Sequence, residues 1–116
     1  MHELPVMQRV LDIVLKHAYK HGVQQVLTVQ IEVGALSDLE EEWMQSYFQS
    51  LSQDTCAAEA KLKVERKPAE MLCLDCGELL QTYFAAGEEL LCNSCNSSSL
   101  RLMSGREYTV VNLEAV

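Results

Sequence analysis

The chain has 116 residues, 48% of them hydrophobic, with 9 basic residues against 17 acidic ones and a net charge of −8. That length holds one domain, or a small domain carrying a smaller insert. The acidic balance argues against nucleic acid as the main partner, because phosphate contacts need Lys and Arg, and favours a basic protein surface.

The chain opens Met1-His2-Glu3-Leu4-Pro5. With a free amine, the first two residues offer three kinds of nitrogen: the Met1 amine, the His2 backbone nitrogen and the His2 imidazole. A near-planar nitrogen array suits Ni²⁺ or Cu²⁺, and Glu3 can add an oxygen or its own backbone nitrogen. Taken alone, a His at position 2 is more often a loose terminal side chain, and Glu3 a helix N-terminal carboxylate. No basic stretch with an apolar core follows, so no signal peptide is expected. No run approaches the ~18 apolar residues that span a bilayer.

Residues 1–22 predict a helix, with Val6, Met7, Val10, Ile13, Val14, His17 and Ala18 at helical spacing. Pro5 suits its first turn and Gly22 its close. His17 and His21 stand four apart; packing is the expected role for the first and capping for the second, although such a pair can also bind metal from one helix face. Residues 24–33 alternate as a half-buried strand, with Leu27, Val29, Ile31 and Val33 on one face. Ser37-Asp38-Leu39-Glu40 reads as a capping box opening a helix to about Leu51. Its expected buried stripe is Leu39, Trp43, Tyr47, Phe48 and Leu51. Asp38, Glu40, Glu41 and Glu42 read as a dipole-favoured acidic turn, or else as a docking patch for a basic partner.

Residues 60–66 alternate again, with Leu62 and Val64 inward, and Lys67-Pro68 ends that strand. Then come Cys73-Leu74-Asp75-Cys76 and Cys92-Asn93-Ser94-Cys95, separated by residues 77–91. This spacing fits a four-cysteine zinc site. Four thiolates at about 2.3 Å satisfy a tetrahedral ion and leave no open position, so the site is read as structural. Gly77 and Asn96, one after each pair, tolerate the positive φ of a tight knuckle. Disulfides or a redox Cys-x-x-Cys are the other readings. The fifth cysteine, Cys56, makes the count odd, which fits a reducing compartment and a cytoplasmic protein; a small buried hydrophobe is its expected role. Short strands are expected at 79–84 and 100–103, with a turn at Gly87, and a last strand at 107–115 with Thr109, Val111, Leu113 and Ala115 on one face.

The expected fold class is α+β: a small three-stranded sheet with two helices on one face, plus an inserted four-cysteine zinc-ribbon domain. Residues 1–67 and 105–116 form the first domain and 68–104 the insert, whose stability comes from its metal.

Met1-His2-Glu3-Leu4, Ile31-Glu32-Val33-Gly34-Ala35-Leu36-Ser37, the two cysteine pairs, Ser104-Gly105-Arg106-Glu107 and Asn112-Leu113-Glu114-Ala115-Val116 occur in one order along the chain. Together they resemble the HypA/HybF family of nickel metallochaperones for nickel–iron hydrogenase maturation. The resemblance implies nickel on His2, with Glu3 and the Met1 amine nearby, and structural zinc on Cys73, Cys76, Cys92 and Cys95. It implies delivery to the hydrogenase large-subunit precursor with the HypB GTPase, in some members also to urease, by a monomer or dimer. Pro5 departs from the family, which more often has a small hydroxylated residue there. Asn96 stands where a histidine often follows the last cysteine, so a histidine-based pH response of the zinc site is not expected. The expected role is a carrier, not an enzyme. The rival readings are a zinc-ribbon adaptor with no transported metal, a nucleic-acid-binding ribbon, and a thiol oxidoreductase.

Overall fold

The computed structural model describes residues 2–83 and 90–116. In order, the elements are α1 (Glu3–Lys20), β1 (Val26–Gly34), α2 (Glu41–Leu51), β2 (Lys61–Lys67), β3 (Ala69–Cys73), β4 (Leu79–Thr82), β5 (Leu100–Ser104) and β6 (Tyr108–Ala115). They form two helices and two three-stranded sheets, ordered β2-β1-β6 and β4-β3-β5. The final strand thus returns to complete the first sheet, and its partner there is β1. The continuation of β4 to Phe84 and the turn at Gly87 lie outside the described residues. Two compact units result. One comprises the residues up to Glu32, Asp38–Glu65 and Thr109–Val116; the other comprises Val33–Ser37 and Arg66–Tyr108.

In the first unit, α1 buries Val6, Met7, Val10, Leu11, Val14 and Ala18. The stripe is rotated from the expected one: Leu11 is buried, while Ile13 and His17 are exposed. Helical spacing alone left two adjacent faces open, and packing against α2 selected one. α1 closes as a Schellman motif, with Val23 N–H on Ala18 O at 2.9 Å and Gly22 N–H on Tyr19 O at 3.4 Å. Gly22 supplies the positive φ of 64°. β1 alternates as expected from Val29 on, but Leu27 faces out and Val26 is fully buried. The phase breaks between Leu27 and Val29, where Val26 N–H is tied to Cys56 O at 2.9 Å. Cys56 itself is half-buried rather than buried.

The capping box at Ser37 and Glu40 does not form. α2 starts at Glu41, Glu40 is its extended N-cap, and the Glu40 side chain makes no capping bond. The Glu40 N–H goes instead to the Glu3 carboxylate at 2.9 Å, a partner 37 residues away that local pattern reading cannot see. The buried stripe becomes Met44 and Phe48, with Leu39 buried ahead of the helix. Trp43, expected inside, is exposed. A 2.6 Å bond from Gln45 Nε2 to Leu62 O ties α2 to β2. β6 also breaks phase. Thr109 and Val111 are exposed, and Tyr108, Val110, Leu113 and Ala115 are half-buried, as befits an edge strand.

In the second unit, β3 is central and antiparallel to both neighbours, pairing Met71 with Leu80 on one side and with Leu102 on the other. β3 went unread in the sequence, because it is only 5 residues long and runs straight into the first knuckle at Cys73. The segments after β1 and before β6 meet here backbone to backbone. Gly34 N–H bonds Glu107 O at 2.8 Å, and Leu36 N–H bonds Gly105 O at 2.8 Å. A Cβ on Gly34 would lie 2.0 Å from the Gly105 carbonyl oxygen, so only glycine fits.

Candidate metal centres

The two cysteine pairs fold into matching knuckles. In the first, Gly77 N–H bonds Cys73 O and Cys73 N–H bonds Glu78 O, each at 2.9 Å. In the second, Asn96 N–H bonds Cys92 O and Cys92 N–H bonds Ser97 O, again at 2.9 Å. Gly77 (φ 79°) and Asn96 (φ 61°) turn the chain back, the conformation their residue types tolerate. The Ser97 hydroxyl and the Asp75 carboxylate join one knuckle to the other.

This brings all four sulfurs within 4.8 Å of one another. Cys73 Sγ lies 3.5 Å from Cys95 Sγ, and Cys76 Sγ 3.6 Å from Cys92 Sγ. A tetrahedron with metal–sulfur bonds of about 2.3 Å has sulfur–sulfur edges of about 3.8 Å, so the cage fits a zinc-sized ion. Backbone N–H groups of the first knuckle, that of Cys76 foremost, favour the Cys73 thiolate and bring that thiol down to about 7. The cage is also most of the core beside it. The buried residues of this cluster are Cys73, Leu80 and Cys92, with Met71 and Leu100 partly buried against them. All five cysteines are free of disulfides.

The amino-terminal residues are arranged quite differently. His2 is the N-cap of α1, at φ −137° and ψ 28°, and its ring makes no capping bond. The imidazole is exposed. Glu3, the first helical residue, is only 3% exposed, and its carboxylate takes the Glu40 N–H. That bond above all holds the Glu3 carboxyl below its usual 4.5, against a desolvation that raises it. Asp38, which the sequence suggested as part of an acidic helix turn or a docking patch, belongs to this neighbourhood. Its carboxyl is lowered first by a hydrogen bond to the amino terminus, then by that terminus's positive charge, and further by His2. A shallow pocket of about 230 Å³ beside His2 and Glu3 is lined by Leu4, Pro5, Trp43 and Tyr47. The Trp43 and Tyr47 rings stack at 5.7 Å and 24°. The Met1 amine lies outside the described residues.

The Glu3 contact makes a stability prediction. A carboxyl lowered by folding stabilises the protein above its unfolded value and loses that contribution as pH falls through the folded value. Glu3→Ala should therefore cost about 1–2 kcal/mol at pH 7, the loss of a charge-assisted capping bond to the Glu40 N–H. The difference from the parent should shrink as pH drops below the usual carboxyl value of 4.5. Urea denaturation at pH 7 and near pH 4 measures both; an Ala variant as stable as the parent at pH 7 would remove the cap from the account.

Comparison with known proteins agrees along the whole chain. The family model described as HypA, hydrogenase/urease nickel incorporation, metallochaperone, matches residues 1–115. The hydrogenase maturation factor HybF of Klebsiella pneumoniae is 35% identical over 114 residues, covering 98% of each chain. The hydrogenase maturation factor HypA of Acidithiobacillus ferrooxidans is 34% identical over 116 residues, again at 98% of each. The fold matches the solution structure of the nickel metallochaperone HypA from Helicobacter pylori at a TM-score of 0.68 and 21% identity, over 100% of this chain and 98% of that one. A second solution structure of a HypA protein matches at 0.72 and 23% identity, over 100% and 97%.

Proposed function

The chain belongs to the HypA family of nickel-incorporation metallochaperones for hydrogenase and urease, and on that premise we propose that it carries Ni²⁺ on its first residues and releases it to a hydrogenase precursor. The observation that carries this reading is the exposed, uncapped His2 ring at the start of α1. An exposed site permits hand-over, where a buried one would trap the ion. His2 contributes its imidazole and backbone nitrogen, beside the Met1 amine. Glu3 contributes through its main-chain nitrogen, since its carboxylate is held by Glu40 N–H. The first-turn amides of a helix lack intrahelical acceptors, so that nitrogen is not tied up in the helix ladder. Asp38 supplies negative charge alongside.

Zn²⁺ on Cys73, Cys76, Cys92 and Cys95 is structural in this reading, because four thiolates close the coordination sphere. Residues 1–67 and 105–116 form the nickel-binding domain and 68–104 the zinc-binding domain. The chain acts as a carrier rather than a catalyst. Its partners are the HypB GTPase and the hydrogenase large-subunit precursor, with urease maturation proteins as a second destination. No described helix is long and apolar enough to cross a membrane, and five free thiols suit the cytoplasm.

The test blocks the amine. A chain extended by a few residues ahead of Met1 should bind nickel at least about 10-fold more weakly, with an altered visible spectrum, because one nitrogen donor is consumed. Unchanged affinity and spectrum would rule the terminal amine out as a ligand.

A further inference from the structure

The sequence offered His17 a place in the core and His21 a place as a cap. The structure leaves both imidazoles without those roles. His17 is exposed on α1. His21 is the C-cap, but it caps with its backbone N–H, on His17 O at 3.1 Å, and not with its ring. The two rings stand over one another on the same helix face, centroids 4.4 Å apart and tilted by 41°.

We propose that His17 and His21 form a second, weaker binding site for a divalent transition metal at the carboxyl-terminal end of α1. Imidazole nitrogens suit Ni²⁺, Cu²⁺ and Zn²⁺, and residues four apart on a helix place two such rings on one ion, the spacing that helical zinc motifs use. The helix end adds partial negative charge from its last carbonyls, and the chain as a whole is acidic at −8. Lys16 and Lys20 flank the pair and oppose binding, which sets the affinity below that of a nitrogen-rich terminus. Asn112 lines the same surface groove as His17 and carries an amide oxygen. Two protein ligands leave the remaining positions to water, so the ion exchanges readily. The site is separate from the amino-terminal one: 15 residues of helix at about 1.5 Å each put the two ends roughly 22 Å apart.

The experiment uses the full, zinc-loaded chain carrying His2→Ala, titrated with Ni²⁺ and with Cu²⁺. The expected result is one residual ion per chain, bound at least about 10-fold more weakly than the first ion of the parent, and lost on adding His17→Ala or His21→Ala. Metal at 100 times its dissociation constant should also slow amide exchange in the last turn of α1 by about 100-fold, because a bridge across that turn resists its opening. Residual binding that survives both substitutions, or none up to millimolar metal, overturns the site. The first ion of the parent reports separately on the amino-terminal reading, so each can fail without the other.

Discussion

Stripping zinc at neutral pH should unfold β3, β4 and β5 while α1 and α2 persist. The expectation follows from what is buried. In the cluster around the cage, Cys73 and Cys92 are two of the three buried residues and Leu80 is the third. One leucine and two part-buried neighbours release only a few kcal/mol, at roughly 1.5–3 kcal/mol per fully buried side chain. Ordering the residues of that sheet costs about 1–2 kcal/mol each in backbone entropy. The deficit is of the size that a structural zinc site covers, about 10–16 kcal/mol of apparent binding energy. The other unit has its own core, with Met7, Val10, Val14, Val29, Ile31, Met44 and Phe48 buried at 2% exposure or less. The checking measurement is amide-resolved spectroscopy before and after a strong chelator. Amides of β3–β5 should collapse to unfolded positions, and those of α1 should stay dispersed. Cys92→Ser should mimic the chelator, since it removes a ligand and a buried core residue together. A protected β3 in metal-free protein would contradict the assignment.

His2→Ala should abolish tight nickel binding and leave zinc content and fold unchanged. The ring is exposed and caps nothing, so its loss removes no packing and no structural hydrogen bond; a change at such a surface position stays within about 0.5 kcal/mol. Nickel affinity should fall by about 100-fold or more, because the imidazole is one of the few nitrogen donors of the set and nothing beside it replaces it. Isothermal titration together with zinc analysis and a melting curve separates the effects. Retained tight, stoichiometric nickel would defeat the site; a fallen melting temperature would mean that the ring has structural work.

The four-cysteine cluster was the most legible part of this chain. Two short spacings and two residues tolerant of positive φ specify it locally, and Gly77 and Asn96 adopt that conformation. The two helices and the alternating strands were also readable, because both patterns are periodic; that the last strand lies beside β1 was not. What escaped reading was long-range. Glu3 caps a helix 37 residues on, where the sequence offered a local capping box, and α2 buries Met44 where Trp43 was expected. The face of α1 turned on its packing with α2, which exchanged Ile13 and His17 for Leu11. Asp38 had no signal of its own, since four acidic residues in a row of five hide the one beside the amino terminus.

The separation of an architectural ion from a transported one is tested most directly by nickel-edge X-ray absorption on the full chain loaded with one zinc and one nickel. The account predicts nitrogen and oxygen neighbours around nickel, with imidazole scattering that disappears in His2→Ala. Sulfur in the nickel shell, with zinc displaced into solution, would contradict it.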